Sequence, residues 1–167
     1  MTALDVGFDA QILRRQRLGG ITRYFADLTA QLLSAGLRVS SEDASRLFWG
    51  KQRAWRQAEV VHATFYCGTP YRMRPHQRLI SSLFDMTPER YPEHFFLSGL
   101  RSPHANKQVW LSASDKIISI SAASADDLYF SCPGLSAPVD IIHLSTSIHL
   151  IQPEPFLPLL HRRFWLM

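Results

Sequence analysis

Residues able to do chemistry fall at four places in the chain. Gly19 and Gly20 stand ahead of an apolar-periodic run, with Arg23 one turn further on. Glycines let a backbone approach a ligand closely, and free N–H groups at a helix start can hold a phosphate or sugar oxygen. A tight strand-to-helix turn with no ligand explains the same pair. His62, Thr64, Tyr66 and Gly68 follow the apolar pair Val60-Val61. His62 has the chemistry to orient or deprotonate a hydroxyl, and the plainer role of a strand-end histidine bonded to backbone. Asp85 and Glu89 follow the run from Arg78 to Phe84. Asp85 suits a general base or a sugar-hydroxyl acceptor, and equally a cap for the turn Asp-Met-Thr-Pro-Glu. Ser119 and Ser121 close the run from Lys116 to Ile120.

Other groups carry less. Arg72, Arg74 and Arg78 read either as a phosphate- or membrane-facing patch or as a solvated face. His76, His104, His143, His149 and His161 have no metal-ligand spacing, and Cys67 and Cys132 fit no zinc pattern, so no metal is expected.

These groups need elements to hold them. Leu4 to Phe8 is short and apolar, a buried strand by pattern. A loop with Arg14, Arg15 and Arg17 follows. The helix after the glycine pair has an apolar stripe of Ile21, Tyr24, Phe25, Leu28, Leu32 and Leu33, and Gly36 ends it. Leu37 to Ser41 reads as a weak strand, and Glu42 to Gln57 as helical. Val60-Val61 and Arg78 to Phe84 are strands, and Pro88 and Pro92 mark an irregular stretch. A helix is predicted over about 100–114, with Val109, Trp110 and Ala113 inward. Lys116 to Ile120 is a strong strand. Ser121 caps the next helix, with Asp126 and Asp127 near its start. Cys132-Pro133-Gly134 stops that helix, and Val139 to Leu144 is a final strand. Alternating strands and helices imply an α/β domain, a Rossmann-like parallel sheet with helices on both faces. Ligands of such sheets bind beyond the carboxyl ends of the strands, which is where all four groups would converge.

Composition bounds the rest. The chain has 167 residues, enough for one domain with a proper core, and its 46% hydrophobic content is that of a globular protein. The net charge of +4 suits an anionic partner without choosing among phosphate-bearing substrates, acidic membrane and nucleic acid. Nothing else supports nucleic acid. The N-terminus does not read as a secretory signal, and no stretch approaches the ~20 apolar residues of a membrane span. The expected location is cytoplasmic, with reduced cysteines and room for peripheral contact with the inner membrane face.

The ordered motifs resemble a known family. FDAQILRRQRLGGITRYFADL resembles the opening of a group of family 4 glycosyltransferases, in which Q-I-x(3)-Q precedes GGISRYF. EVVHATFY is similar to their D-V-V-H-x-T-Y-Y, and FDMTPERYPEHF to their H-D-M-x-x-E-x-x-P. SASDKIISISAASADDL resembles A-D-K-I-I-x-I-S-x-x-[ST]-x-x-D-L, and VDIIHLSTS the strand and turn after it. These matches run in family order over residues 5–147.

The resemblance implies the N-terminal, acceptor-side half of a GT-B fold. Residues 1–147 would form that domain, and 148–167 a linker and first-strand stub of the donor-binding domain. It implies a metal-independent, retaining transfer from a nucleotide-sugar donor, with no other cofactor. The acceptor would be a sugar or lipid-linked sugar, as in bacterial surface polysaccharide synthesis. Asp85 would be catalytic; Gly19, Gly20, Arg23, His62, Thr64, Tyr66 and Ser121 would bind substrate. The sequence departs from the family in three ways. On this reading the donor domain has no counterpart in these 167 residues, Phe84 stands where the family often has histidine, and the stretch from Gly36 to Glu59 is short. Transfer needs donor and acceptor held together with the leaving phosphate stabilised. The chain alone is therefore expected to be inactive, completed by a donor-domain partner or self-associated. The alternative is a non-catalytic interaction module, or a degenerate gene product, that kept the fold. A classical dinucleotide or P-loop domain is disfavoured, because neither glycine signature occurs.

Overall fold

The computed structural model describes residues 3–41, 54–95 and 106–144. Six short strands form one all-parallel sheet: β1 (Asp5–Phe8), β2 (Arg38–Ser41), β3 (Val60–Ala63), β4 (Arg78–Leu83), β5 (Lys116–Ser119) and β6 (Val139–Ile141). Their spatial order is β2-β1-β3-β4-β5-β6, every neighbouring pair parallel. The expected Rossmann-like α/β arrangement is therefore present. The helices are α1 (Gln11–Arg15), α2 (Gly20–Ser34), α3 (Thr87–Arg90), α4 (Pro92–Phe95), α5 (Lys107–Ala113) and α6 (Ala122–Ser131), with a 3-10 turn at Ala54–Gln57.

Register sorts the side chains into two faces. Gly7, Val61 and Leu79 lie in one row, and Phe8, His62 and Ile80 in the adjacent row on the opposite face. The first face is closed tightly. Trp55 packs its backbone on Gly7, and the hydroxyl of Ser114, at the end of α5, donates to Ser81 at 2.8 Å. Trp110, Leu79 and Ile117 are completely buried there. Gly7 is required: a Cβ in its place would stand 2.4 Å from the Trp55 carbonyl oxygen. The opposite face is covered by α2, the one leftward connection, as right-handed crossovers demand. Phe25 is the residue of α2 fully buried against it, edge-on to Phe8 at 5.7 Å.

Several expectations need correction. The segment expected to be an arginine loop contains α1, because Gln11 and Ile12 turn inward while Arg14 and Arg15 stay outside. Leu33 is 54% exposed, as the α2 stripe rotates away from the sheet by its last turn. Trp110 points inward as expected, but Val109 and Ala113 are exposed; α5 buries Lys107, Trp110 and Leu111 instead. Ser121 does cap α6, accepting from Ser124 N at 3.1 Å, but Asp126 and Asp127 lie beyond its first turn. The proline stretch forms the single turns α3 and α4, with proline near the start of each, where its missing N–H is harmless. The last strand is shorter than expected, ending at Ile141. Of the segment Glu42 to Gln57 read as helical, Ala54–Gln57 forms the 3-10 turn, and 42–53 lies outside the described residues. The start of the expected 100–114 helix and the proline-bearing 148–167 segment also lie outside them.

Candidate functional site

The sheet reverses its winding between β1 and β3, so the crevice beyond their carboxyl ends is where an open α/β sheet takes a ligand. Asp9 follows β1 and Thr64 follows β3. Asp9 is buried, and its carboxylate collects five donors. Oδ1 accepts from Thr64 N at 3.1 Å, Thr64 Oγ1 at 2.5 Å and Gln11 N at 3.1 Å. Oδ2 accepts from Gln11 Nε2 at 2.7 Å and Tyr71 Oη at 2.8 Å. Thr64 Oγ1 in turn accepts from Ile12 N, and Gln11 Oε1 from Cys67 N. A buried carboxylate persists when its lone pairs are this fully engaged. The hub ties the ends of β1 and β3 to α1 and fixes the floor of the crevice. Thr64 thus gives both its amide and its hydroxyl to Asp9.

Asp9 was invisible in the sequence reading. Locally it is one acid before a loop, and its partners Thr64 and Tyr71 are 55 and 62 residues away. Lys107 was missed for the same reason. It is buried inside the sheet edge, where Nζ donates to Glu89 Oε2 and to the Asp85 carbonyl oxygen, both at 2.8 Å.

The predicted site residues separate by environment. His62 is buried between Phe8 and Phe25, with ring centroids 5.6 and 5.2 Å away. Its Nε2 lies 2.9 Å from Ser82 Oγ, which also contacts Tyr24 Oη at 3.2 Å. Burial lowers its pKa to about 4, so it is neutral at pH 7. Tyr66 is buried and donates to the Ser82 carbonyl. Burial, and then the charges of Asp85 and Glu89, push its phenol well above the ordinary value. Asp85 is exposed, and its Oδ1 accepts from Thr87 N at 2.9 Å, the turn-capping role. Ser121 is spent on the α6 cap. Phe84, on the histidine position of the resemblance, packs edge-on against Tyr24 at 5.2 Å.

The glycine pair is different. Gly19 ends a loop that Thr22 ties down by donating to the Gln16 carbonyl at 2.7 Å, and no side chain among the described residues caps the start of α2. A Cβ on Gly19 would collide with the Gln16 amide, whereas one on Gly20 would meet nothing within 4 Å. Gly20, Arg23 and His62 line one groove of about 620 Å³ between α2 and the sheet, whose body is apolar (Leu28, Leu32, Val60, Ile80, Ile118). Arg23 lies 3.6 Å from Asp27 at the groove's rim. The structure thus brings Gly20, Arg23 and His62 together. It groups Tyr66 with Asp85, Glu89 and Lys107 separately, and leaves Ser121 to its helix.

No group of three metal-ligating side chains occurs among the described residues, and none of their helices is long and apolar enough to cross a membrane. Cys67 and Cys132 are free thiols. No protein-family model and no curated protein matches the sequence significantly.

Proposed function

We propose that the chain is the acceptor-side half of a nucleotide-sugar-dependent glycosyltransferase like those of family 4, serving a sugar or lipid-linked acceptor at the cytoplasmic membrane face. The observation that carries this reading is the uncapped α2 start. Gly20 leaves open space beside Arg23, in a groove shared with β3 at the switch point of the sheet. Helix-start N–H groups with a nearby guanidinium suit a phosphate or sugar oxygen. The motifs of the resemblance fall in register with this geometry: GGITRYF opens α2, VVH lies in β3, and KIISIS runs from β5 into the α6 cap.

Side-chain acid–base chemistry contributes little in this reading. His62 is neutral and engaged with Ser82, Thr64 serves Asp9, and Asp85 caps a turn. Donor binding and leaving-group stabilisation fall to a complementary domain, as a partner or within a larger protein. The interaction-module reading draws on the same fact, that most candidate side chains are committed to the fold.

An assay of the chain with UDP- and GDP-sugars and a lipid-phosphate acceptor tests this. We expect no transfer, and saturable binding of a lipid-phosphate-linked sugar that Gly20→Val or Arg23→Gln weakens. Turnover lost on Asp85→Ala would overturn the inert half-cleft. Absence of binding would favour the interaction module.

A further inference from the structure

A second pocket lies on the sheet face opposite α2 and opens towards the amino ends of β3 and β4. It has a volume of about 350 Å³ and is walled by two segments, each leading into the start of a strand. Arg56 comes from the turn before β3, and Arg72 and Arg74 from the loop before β4. No carboxylate occurs in its wall among the described residues. Arg78, the neighbouring cation, is turned to Asp115 at 4.0 Å, whereas Arg72 and Arg74 have no ion pair among the described residues. Three like charges around one concavity repel each other unless an anion joins them.

The arrangement is held from inside. Gln77 is buried, and its Nε2 donates to the carbonyls of Arg56 at 2.8 Å and Ala58 at 2.7 Å. Its Oε1 accepts from Arg74 N at 3.2 Å, and its own N–H donates to the Arg74 carbonyl at 2.9 Å. One amide side chain therefore pins both arginine-bearing segments. Arg56 is further placed over the rings of Trp55 and Tyr71, at 5.3 and 5.4 Å. Trp55 Nε1, buried in the same wall, has no acceptor among the described residues.

We propose that this pocket binds a phosphate monoester, with Arg72 and Arg74 as its ligands, Arg56 completing the charge and Gln77 positioning all three. Guanidinium forks match phosphate oxygens bidentately, and a dianion offsets more of the repulsion than a diester does. The volume admits a small organic phosphate or the headgroup of a phosphate-monoester lipid. The site is separate from the α2 mouth and does not depend on the glycosyltransferase reading.

Phenyl phosphate titrated into the full ¹⁵N-labelled chain tests the free-ligand source. Phosphatidylcholine vesicles carrying phosphatidic acid, against vesicles carrying phosphatidylglycerol, test the headgroup source. We expect saturable binding in at least one arm, with amide shifts at Arg56 and from Thr69 to Gln77. The double variant Arg72→Gln/Arg74→Gln should weaken it about a hundredfold, roughly tenfold per charge-assisted contact. Gln77→Ala should weaken it, and Gln77→Glu, which turns a carboxylate oxygen on the Arg56 and Ala58 carbonyls and adds an anion beside the site, should weaken it at least as much. Shifts confined to 19–23, binding indifferent to the double variant, equal binding of both vesicle types, or no binding in either arm would overturn the proposal.

Discussion

The two edges of this sheet use their polar side chains in opposite ways. At the carboxyl edge Asp9, Thr64, His62, Asp85 and Ser121 are each hydrogen-bonded within the fold, and the space beside the Gly20 Cα is open. At the amino edge Arg72 and Arg74 have no ion pair among the described residues, and a buried glutamine holds their loop in place. A residue's chemistry therefore says little until its partners are known. The carboxylates and histidine that look catalytic in the sequence are hydrogen-bonded within the fold, and arginines that look like a solvated face surround a pocket.

The largest expected effect is at Asp9. Asp9→Asn replaces one acceptor oxygen by a donor facing donors, and should cost about 2–4 kcal/mol in urea unfolding. A loss below about 0.5 kcal/mol would remove the hub from the account. Next is His62. It is neutral when folded, with a pKa near 4, against about 6.5 when unfolded. The unfolded chain takes up the proton first. The stability this group allows is therefore fully present above about pH 6.5 and falls as pH drops towards 4, by up to about 3 kcal/mol. His62→Gln should flatten the profile in that window, and an unchanged slope would place His62 in contact with water.

Smaller effects sharpen the contrast. Asp85→Ala should cost about 1 kcal/mol, and Asp85→Asn, which still caps the turn, should restore most of it. A catalytic carboxylate would not be rescued by the amide, so comparing both variants by thermal unfolding and by activity of any completed enzyme separates the roles. Arg72→Gln and Arg74→Gln should change stability by no more than about 0.5 kcal/mol, because these exposed side chains have no ion pair among the described residues. A larger loss would make them structural and erase the difference between the edges.

The sequence made the periodic parts legible. β1, β3, β4 and β5 are apolar runs bounded by polar residues, and α2 shows a stripe that Gly36 ends at φ +80°. Short elements were harder. α5 has two turns, too few for a stripe to distinguish Val109 from Leu111, and α1 is one turn dominated by arginines. What no local pattern carries is long-range pairing. Gly7 looks like a weak point in a strand until the Trp55 backbone lies on it, and Lys107 looks like surface until Glu89 meets it. The convergence of the strand ends at one edge of the sheet was legible, because parallel topology alone brings them together. The engagement of Asp85 and Ser121 was legible, since Thr87 and Ser124 are close in sequence, but that of Thr64 and His62 was not, since Asp9 and Ser82 are distant.

The central claim is that the carboxyl edge receives its ligand on the α2 backbone rather than on acid–base side chains. The most direct measurement is an amide shift titration of the ¹⁵N-labelled chain with a short prenyl-phosphate-linked sugar. The account predicts saturable shifts at 19–23, with the His62 and Asp85 signals little changed. Shifts centred on Asp85 and Glu89, or none at 19–23 at any concentration reached, would contradict it.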